Sequence, residues 1–182
     1  MQLRPIFLIF SYFLVFKIFA QSTASQQVIT FTIEAPQLEV EKKIWVYLPA
    51  MYQNSEKAYS VIYMHDAQNL FDAQTSYAGE WKIDEYLDSI SNNETIIIGI
   101  EHGNEKRLDE LTPFPDDTYG GGKADLYLDF MINTLKPHID STYRTKTDPK
   151  HTTIIGSSLG GLVSYYAVLK HPETFGNAGA FS

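Results

Sequence analysis

The chain has 182 residues, with 14 Lys and Arg against 22 Asp and Glu, a formal net charge of -8 and no cysteine. That size and balance suit one globular domain with a sizeable core and exclude a disulfide framework or a thiolate metal site. No Lys/Arg stripe is present to neutralise phosphates, so a nucleic-acid surface is excluded and a small-molecule or neutral polymer substrate fits better.

The first twenty residues, MQLRPIFLIFSYFLVFKIFA, place Arg4 before an apolar run from Ile6 to Phe16 and end in Ala20. This is the layout of a secretory signal peptide. The alternative is an uncleaved membrane anchor, but Lys17 interrupts the run short of the roughly 20 apolar residues that a span needs. Residues 1–20 are therefore set apart as a signal peptide, which predicts an exported protein, periplasmic or extracellular, with no stable membrane span after processing. The mature chain would carry 12 basic and 22 acidic residues.

Residues 21–27 form a polar Ser/Thr/Gln leader, and 28–182 the domain itself. VITFTIEA and KKIWVYLPA alternate apolar and polar residues and read as antiparallel strands, the second stopped by Pro49. YSVIYMHD is a continuous apolar run of the kind buried on both faces, with His65 and Asp66 at its polar end. EWKIDEYLDSI spaces Trp81, Ile83, Tyr86, Leu87 and Ile90 near the helical period, and ETIIIGIEH returns to a buried strand. A strand, helix, strand alternation with a parallel sheet core follows.

Residues 103–122 hold Pro113, Pro115 and a Gly-Gly-Gly run, too long and turn-rich for a minimal connection. ADLYLDFMINTLKPHID is a second amphipathic helix, carrying Leu126, Phe130, Ile132 and Leu135, which Pro137 should end or kink. HTTIIGS is the next buried strand, a helix follows from about Leu159 to Leu169, and NAGAFS reads as one more strand. Asn93-Glu94-Thr95 is an N-glycosylation sequon.

Gly156, Ser158 and Gly160 make G-x-S-x-G. Its physical requirement is a strand-to-helix turn so sharp that the positions two before and two after the serine are nearly side-chain-free. Ser158 stands at the apex, where Oγ is exposed and the first free N–H groups of the helix point at a developing oxyanion. Ser157 faces elsewhere. The β-branched run before the motif and the apolar helix after it supply the context that the bare pattern lacks. A glycine-rich turn or a serine N-cap without chemistry is the competing reading. A phosphate loop fits less well, because no Lys-Ser/Thr follows the glycines.

WVYLP, YSVIYMHDAQNLFD, RLDELTPF and TIIGSSLGGLVSYYAVLKHPETFG, in this order, resemble the esterase branch of the α/β-hydrolases related to esterase D and ferric-enterobactin esterase. The likeness spans nearly all of residues 28–182. It implies an α/β-hydrolase fold: a mostly parallel central sheet with helices on both faces and N-terminal antiparallel strands. It implies Ser158 as nucleophile, the Leu159 amide as one oxyanion donor and the Gln68 amide as the second, with Ala67 the alternative. Arg107 and Glu110 match a segment near the substrate, where a solvated ion pair is the competing role. Trp81 and Tyr119 are candidates for a pocket wall or for core. For His65 and Asp66 a strand-end hydrogen-bonding role outweighs a metal pair, which lacks a third ligand.

A serine hydroxyl needs a base and an acid to orient that base, in this fold in the order Ser, Asp or Glu, His. After Ser158 the chain holds only His171 and Glu173, in the wrong order beside Pro172. His65, His102, His138 and His151 precede it. The expected reading is thus a C-terminally truncated domain whose last strands, with the acid and the base, lie beyond Ser182. A secreted serine ester hydrolase acting on a small-molecule or carbohydrate ester follows, with no metal or organic cofactor. The alternative is a catalytically silent α/β-hydrolase-like binding domain or an inactive fragment.

Overall fold

The structure, a computed structural model, describes residues 21–182. The expected signal peptide, 1–20, lies outside the described residues. Alternation in the sequence drives the first hairpin: β1 (Val28–Ala35) and β2 (Val40–Tyr47) pair antiparallel, from Val28 opposite Tyr47 to Ala35 opposite Val40. The apolar runs give β3 (Ser60–His65) and β4 (Thr95–Ile100). A two-residue ladder joins β5 (Pro115–Asp116) to β6 (Gly120–Gly121), and β7 (Thr152–Ser157) and β8 (Asn177–Phe181) complete the set.

The main sheet is six-stranded in the order β1-β2-β4-β3-β7-β8. β2 runs antiparallel to β4, while β4, β3, β7 and β8 are mutually parallel. This is the sheet that the family resemblance implies.

Side chains alternate across the sheet and make a core on each face. On one face Ile44, Val46, Tyr63, Ile96, Ile98 and Ile154 pack under Tyr127, Leu128, Phe130, Leu135 and Val163. On the other, Trp45, Tyr47, Met64 and Ile97 meet Ala67, Leu70 and Phe71. Gly99 faces this second layer. A β-carbon there would lie 2.8 Å from that of Ala67, so only glycine lets the turn after β3 lie flat on the sheet.

Two helices depart from the periodicity reading. α1 is only Ile83–Asp88. Lys82 takes φ 57°, and the amides of Trp81 and Ile83 donate to the carbonyls of Asn69 and Leu70 at 2.8 and 3.1 Å, so Trp81 belongs to a loop rather than the helix. Tyr86 and Ile90 are exposed. The second helix does not end at Pro137. α3 (Ala124–Phe130) passes through a π turn (Met131–Leu135) into α4 (Lys136–Thr142), and Pro137 falls in the first turn of α4. The wider turn absorbs the missing proline amide. Leu126 is exposed, and the buried face is Tyr127, Leu128, Phe130, Met131, Leu135 and Ile139.

The segment 103–122 is folded: α2 (Arg107–Leu111) precedes the β5–β6 ladder. Lys42 of β2 and Glu110 of α2, each 3% exposed, form an ion pair at 2.6 and 2.7 Å. Asp109 accepts from Lys123 Nζ at 2.7 Å and from the Gly121 amide at 3.0 Å. The last helix, α5, is Leu159–Lys170.

The polar leader is docked. Ser22 Oγ donates to Asp72 at 2.5 Å, Thr23 Oγ1 to Glu80 at 2.7 Å, and the Ser25 amide to Asp84 at 2.7 Å. Burial pushes the Asp84 carboxyl up to about 6.

Glu110→Leu strands the buried Lys42 ammonium and is expected to destabilise the domain by about 3–5 kcal/mol. The double variant Lys42→Met/Glu110→Leu should recover most of that loss, as urea unfolding at neutral pH will show.

Candidate active site

β7 ends in Ser157 and α5 begins at Leu159, leaving Ser158 as the single residue of the reversal, at φ 55° and ψ -121°. Such a backbone is costly for a residue with a β-carbon and persists only where its surroundings over-determine it. They do so here. A β-carbon on Gly156 would lie 2.5 Å from the Gly160 carbonyl carbon, so strand and helix touch backbone to backbone. The Ser158 amide donates to the Phe181 carbonyl at 2.8 Å, and its own carbonyl accepts from the Leu162 amide at 3.0 Å. Ser158 is exposed and Ser157 half-buried.

Both serines line a cleft of about 1070 Å³ at the C-terminal ends of the parallel strands, with Gln68, Trp81, Glu101 and Arg107 among its walls. Ligands of open α/β sheets gather at this edge.

The second wall is the turn after β3. Asp66 is left-handed at φ 57° and ψ 45°, and Ala67–Asn69 form a 3-10 turn. The turn is bound from all sides: Arg107 Nε and Nη2 donate to the two Asp66 carboxylate oxygens at 2.7 and 2.8 Å. Thr75 Oγ1 donates to the Gln68 carbonyl at 2.7 Å, and the Asn69 side-chain oxygen accepts from the Tyr77 amide at 2.9 Å. The amides of Leu159, Ala67 and Gln68 hydrogen-bond no group among the described residues. Preorganised free amides are what a developing oxyanion requires.

His65 closes β3 beneath this turn. Its Nδ1 shares a 2.8 Å hydrogen bond with the Tyr127 hydroxyl, while Nε2 is buried with no partner among the described residues. Burial holds its pKa down to about 4. The ring packs against Gly160, whose missing β-carbon would sit 3.3 Å from His65 Cβ. The strand-end reading of this histidine thus fits the structure.

Other candidates are arranged differently from expectation. Glu110 does not reach the cleft: it is buried against Lys42, so the solvated ion pair is corrected to a buried one that anchors α2. Arg107 does line the cleft. Trp81 stands on the cleft wall with its ring 6.3 Å from that of Phe181, and the exposed Tyr119 is neither cleft nor core. His171 pairs with Glu173 at 3.2 Å past the far end of α5, a helix about 18 Å long, and cannot reach the serine. Among the described residues no histidine or carboxylate hydrogen-bonds Ser158 Oγ. The sequence reading missed the role of Asn69, the Asp66 and Arg107 fork and the His65 and Tyr127 pair. No local pattern announces the fork or the pair, because they join residues 41 and 62 positions apart, and the Asn69 contacts fall in a loop without a regular period.

A mostly parallel sheet with this strand order and a serine at the β7 to α5 reversal defines an α/β-hydrolase fold. Residues 35–182 match the Esterase family model, described as "Putative esterase", and the chain belongs to that family. The uncharacterized protein YbbA of Bacillus subtilis is 32% identical over 151 residues, 78% of this chain and 56% of that protein. The IroE-like serine hydrolase of Shewanella oneidensis superposes with a TM-score of 0.69 at 24% identity, over 83% of this chain and 49% of its own. A ferulic acid esterase of the fungus Anaeromyces mucronatus gives 0.62 at 23%, over 91% and 60%. The chain thus spans about half the length of the relatives it matches.

Two tests follow. Gly156→Ala forces backbone apart and is expected to cost at least about 3 kcal/mol, whereas Gly160→Ala meets a side chain at a looser distance and should cost about 1 kcal/mol; thermal or urea unfolding ranks them. For His65 the folded pKa lies below the unfolded value, so its contribution is complete above about pH 6.5 and is lost as pH falls toward 4, on the order of 3 kcal/mol. Asp84 titrates with the opposite sign over that range, so the difference between wild type and His65→Asn in stability against pH isolates the histidine term.

Proposed function

We propose that this protein is an exported serine carboxylic-ester hydrolase that works through an acyl-enzyme on Ser158. The observation that carries the reading is an exposed serine held at positive φ in a strand-to-helix reversal, opening into a cleft beside amides that have no other described partner. Family membership and the names of structural relatives, one a serine hydrolase and one a ferulic acid esterase, support the same chemistry.

In this mechanism Ser158 Oγ attacks the ester carbonyl, and the negative charge that develops on its oxygen is received by the Leu159 amide and by that of Gln68 or Ala67. Collapse expels the alcohol and leaves the acyl group on Ser158. Water then releases the acid. The chemistry also needs a base to take the Ser158 proton and an acid to orient that base; among the described residues the one histidine and carboxylate that follow Ser158 and pair, His171 and Glu173, do so away from it. Exposed Tyr77 and half-exposed Trp81 on the cleft wall suit an ester with an aromatic or carbohydrate ring. Export rests on the leader pattern of residues 1–20 alone.

A fluorophosphonate distinguishes this from a silent binding domain that keeps the fold. The protein secreted by its native host, treated with the reagent and weighed intact, is expected to gain one adduct that Ser158→Ala abolishes. A protein that folds but takes no adduct would sink the hydrolase reading in favour of the silent domain.

A further inference from the structure

We propose that Arg107 is a positioning residue for ester cleavage: its two-pronged bond to Asp66 holds the turn that presents the Ala67 and Gln68 amides to the reacting carbonyl. The inference deepens the hydrolase reading and rests on it.

Asp66 is the hinge of that turn. It leaves β3 in a left-handed conformation, which an L-residue with a side chain adopts at a cost. Asp is among the side chains that tolerate it. Its carboxylate spans two structures at once. Both oxygens are taken by Arg107, at 2.7 and 2.8 Å, and Oδ2 also lies 3.5 Å from where a β-carbon of Gly160 would stand, against the nucleophile turn. One carboxylate therefore sits between the two backbone segments that supply the oxyanion donors.

The holder of that carboxylate is itself held. Arg107 opens α2, and α2 is tied to β2 through Glu110 and Lys42 and to the β6 side through Asp109, Lys123 and Gly121. A short helix with three tethers is a stiff mount for a planar fork, and bidentate guanidinium geometry fixes direction as well as distance. Arg107 lines the cleft, so a cation for substrate is the rival role. Against that role, its Nε and Nη2 are already spent on Asp66 and its charge is matched there.

The substitutions Arg107→Met, Arg107→Lys and Asp66→Asn test the proposal, the last keeping the tolerance for a left-handed backbone. Two readouts are needed. The first is independent of activity: hydrogen exchange at the Asn69 and Leu70 amides, which donate to the Asp66 and Ala67 carbonyls at 2.9 and 3.1 Å. In Arg107→Met it should rise at least about tenfold while amides of β4 stay protected. The second is turnover of a simple uncharged aryl ester by the secreted protein. There kcat should fall about 100-fold, as expected for a displaced donor, with KM within about twofold. Arg107→Lys keeps the charge without the fork and should not restore it, whereas Asp66→Asn should show the same exchange and kcat changes in milder form.

Unchanged exchange in the 66–70 turn, a rise confined to KM, or full rescue by lysine would each overturn the positioning role. A wild-type protein without a Ser158 adduct or turnover would overturn the hydrolase reading instead, and the exchange result would then report on Arg107 by itself.

Discussion

The approach of Gly156 to Gly160 is the constraint on which the candidate site depends. Because strand and helix meet backbone to backbone, the chain can reverse in the one residue between Ser157 and Leu159. That residue is thrown into a strained conformation of positive φ, its hydroxyl is lifted out of the sheet, and the first amides of α5 are left without strand or helix partners. β8 completes the arrangement by accepting the Ser158 amide on its terminal carbonyl. A side chain at Gly156 would require the reversal to open, and every one of these consequences would be lost together.

The turn after β3 solves a complementary problem. It lines the same cleft as Ser158, its Ala67 and Gln68 amides bond no group among the described residues, and a single 3-10 turn does little by itself to keep it rigid. Its rigidity is borrowed from elsewhere: the Arg107 fork, hydrogen bonds from the loop that carries Thr75 and Tyr77, and the packing of Ala67 against Gly99. The buried pair of Lys42 and Glu110 belongs to the same design, since it seats α2 on the sheet and so fixes where Arg107 stands. Polar groups of this kind add little net stability when compared with an apolar replacement, but they specify one geometry.

Much of the fold was legible before any coordinates. Alternation in VITFTIEA and the unbroken apolar runs around Ile62, Ile97 and Ile154 are signals of period and burial, and all became strands of one sheet. Ser158 and its flanking glycines were legible for the same reason, because a sharp turn imposes its demand on residues close together in sequence. The helices were read less well. Trp81 has helical spacing from Ile83 to Ile90 only on paper: the amides of Trp81 and Ile83 are captured by Asn69 and Leu70, a tertiary contact that outweighs a weak local preference. Pro137 carries a strong local signal, but the π turn before it supplies the slack that lets the helix continue.

The sequence by itself determined the six strands of the main sheet, the reversal at Ser158 and the family to which the chain belongs, since each is written in residue spacing or in short contiguous motifs. Tertiary structure alone decided which charges matter and where they point. Asp66 and Arg107 are 41 residues apart, and Lys42 and Glu110 are 68 apart. Nothing in the local pattern of either partner distinguishes a buried clamp from a solvated ion, because burial and the partner's position are created only when the sheet brings the ends of its strands together.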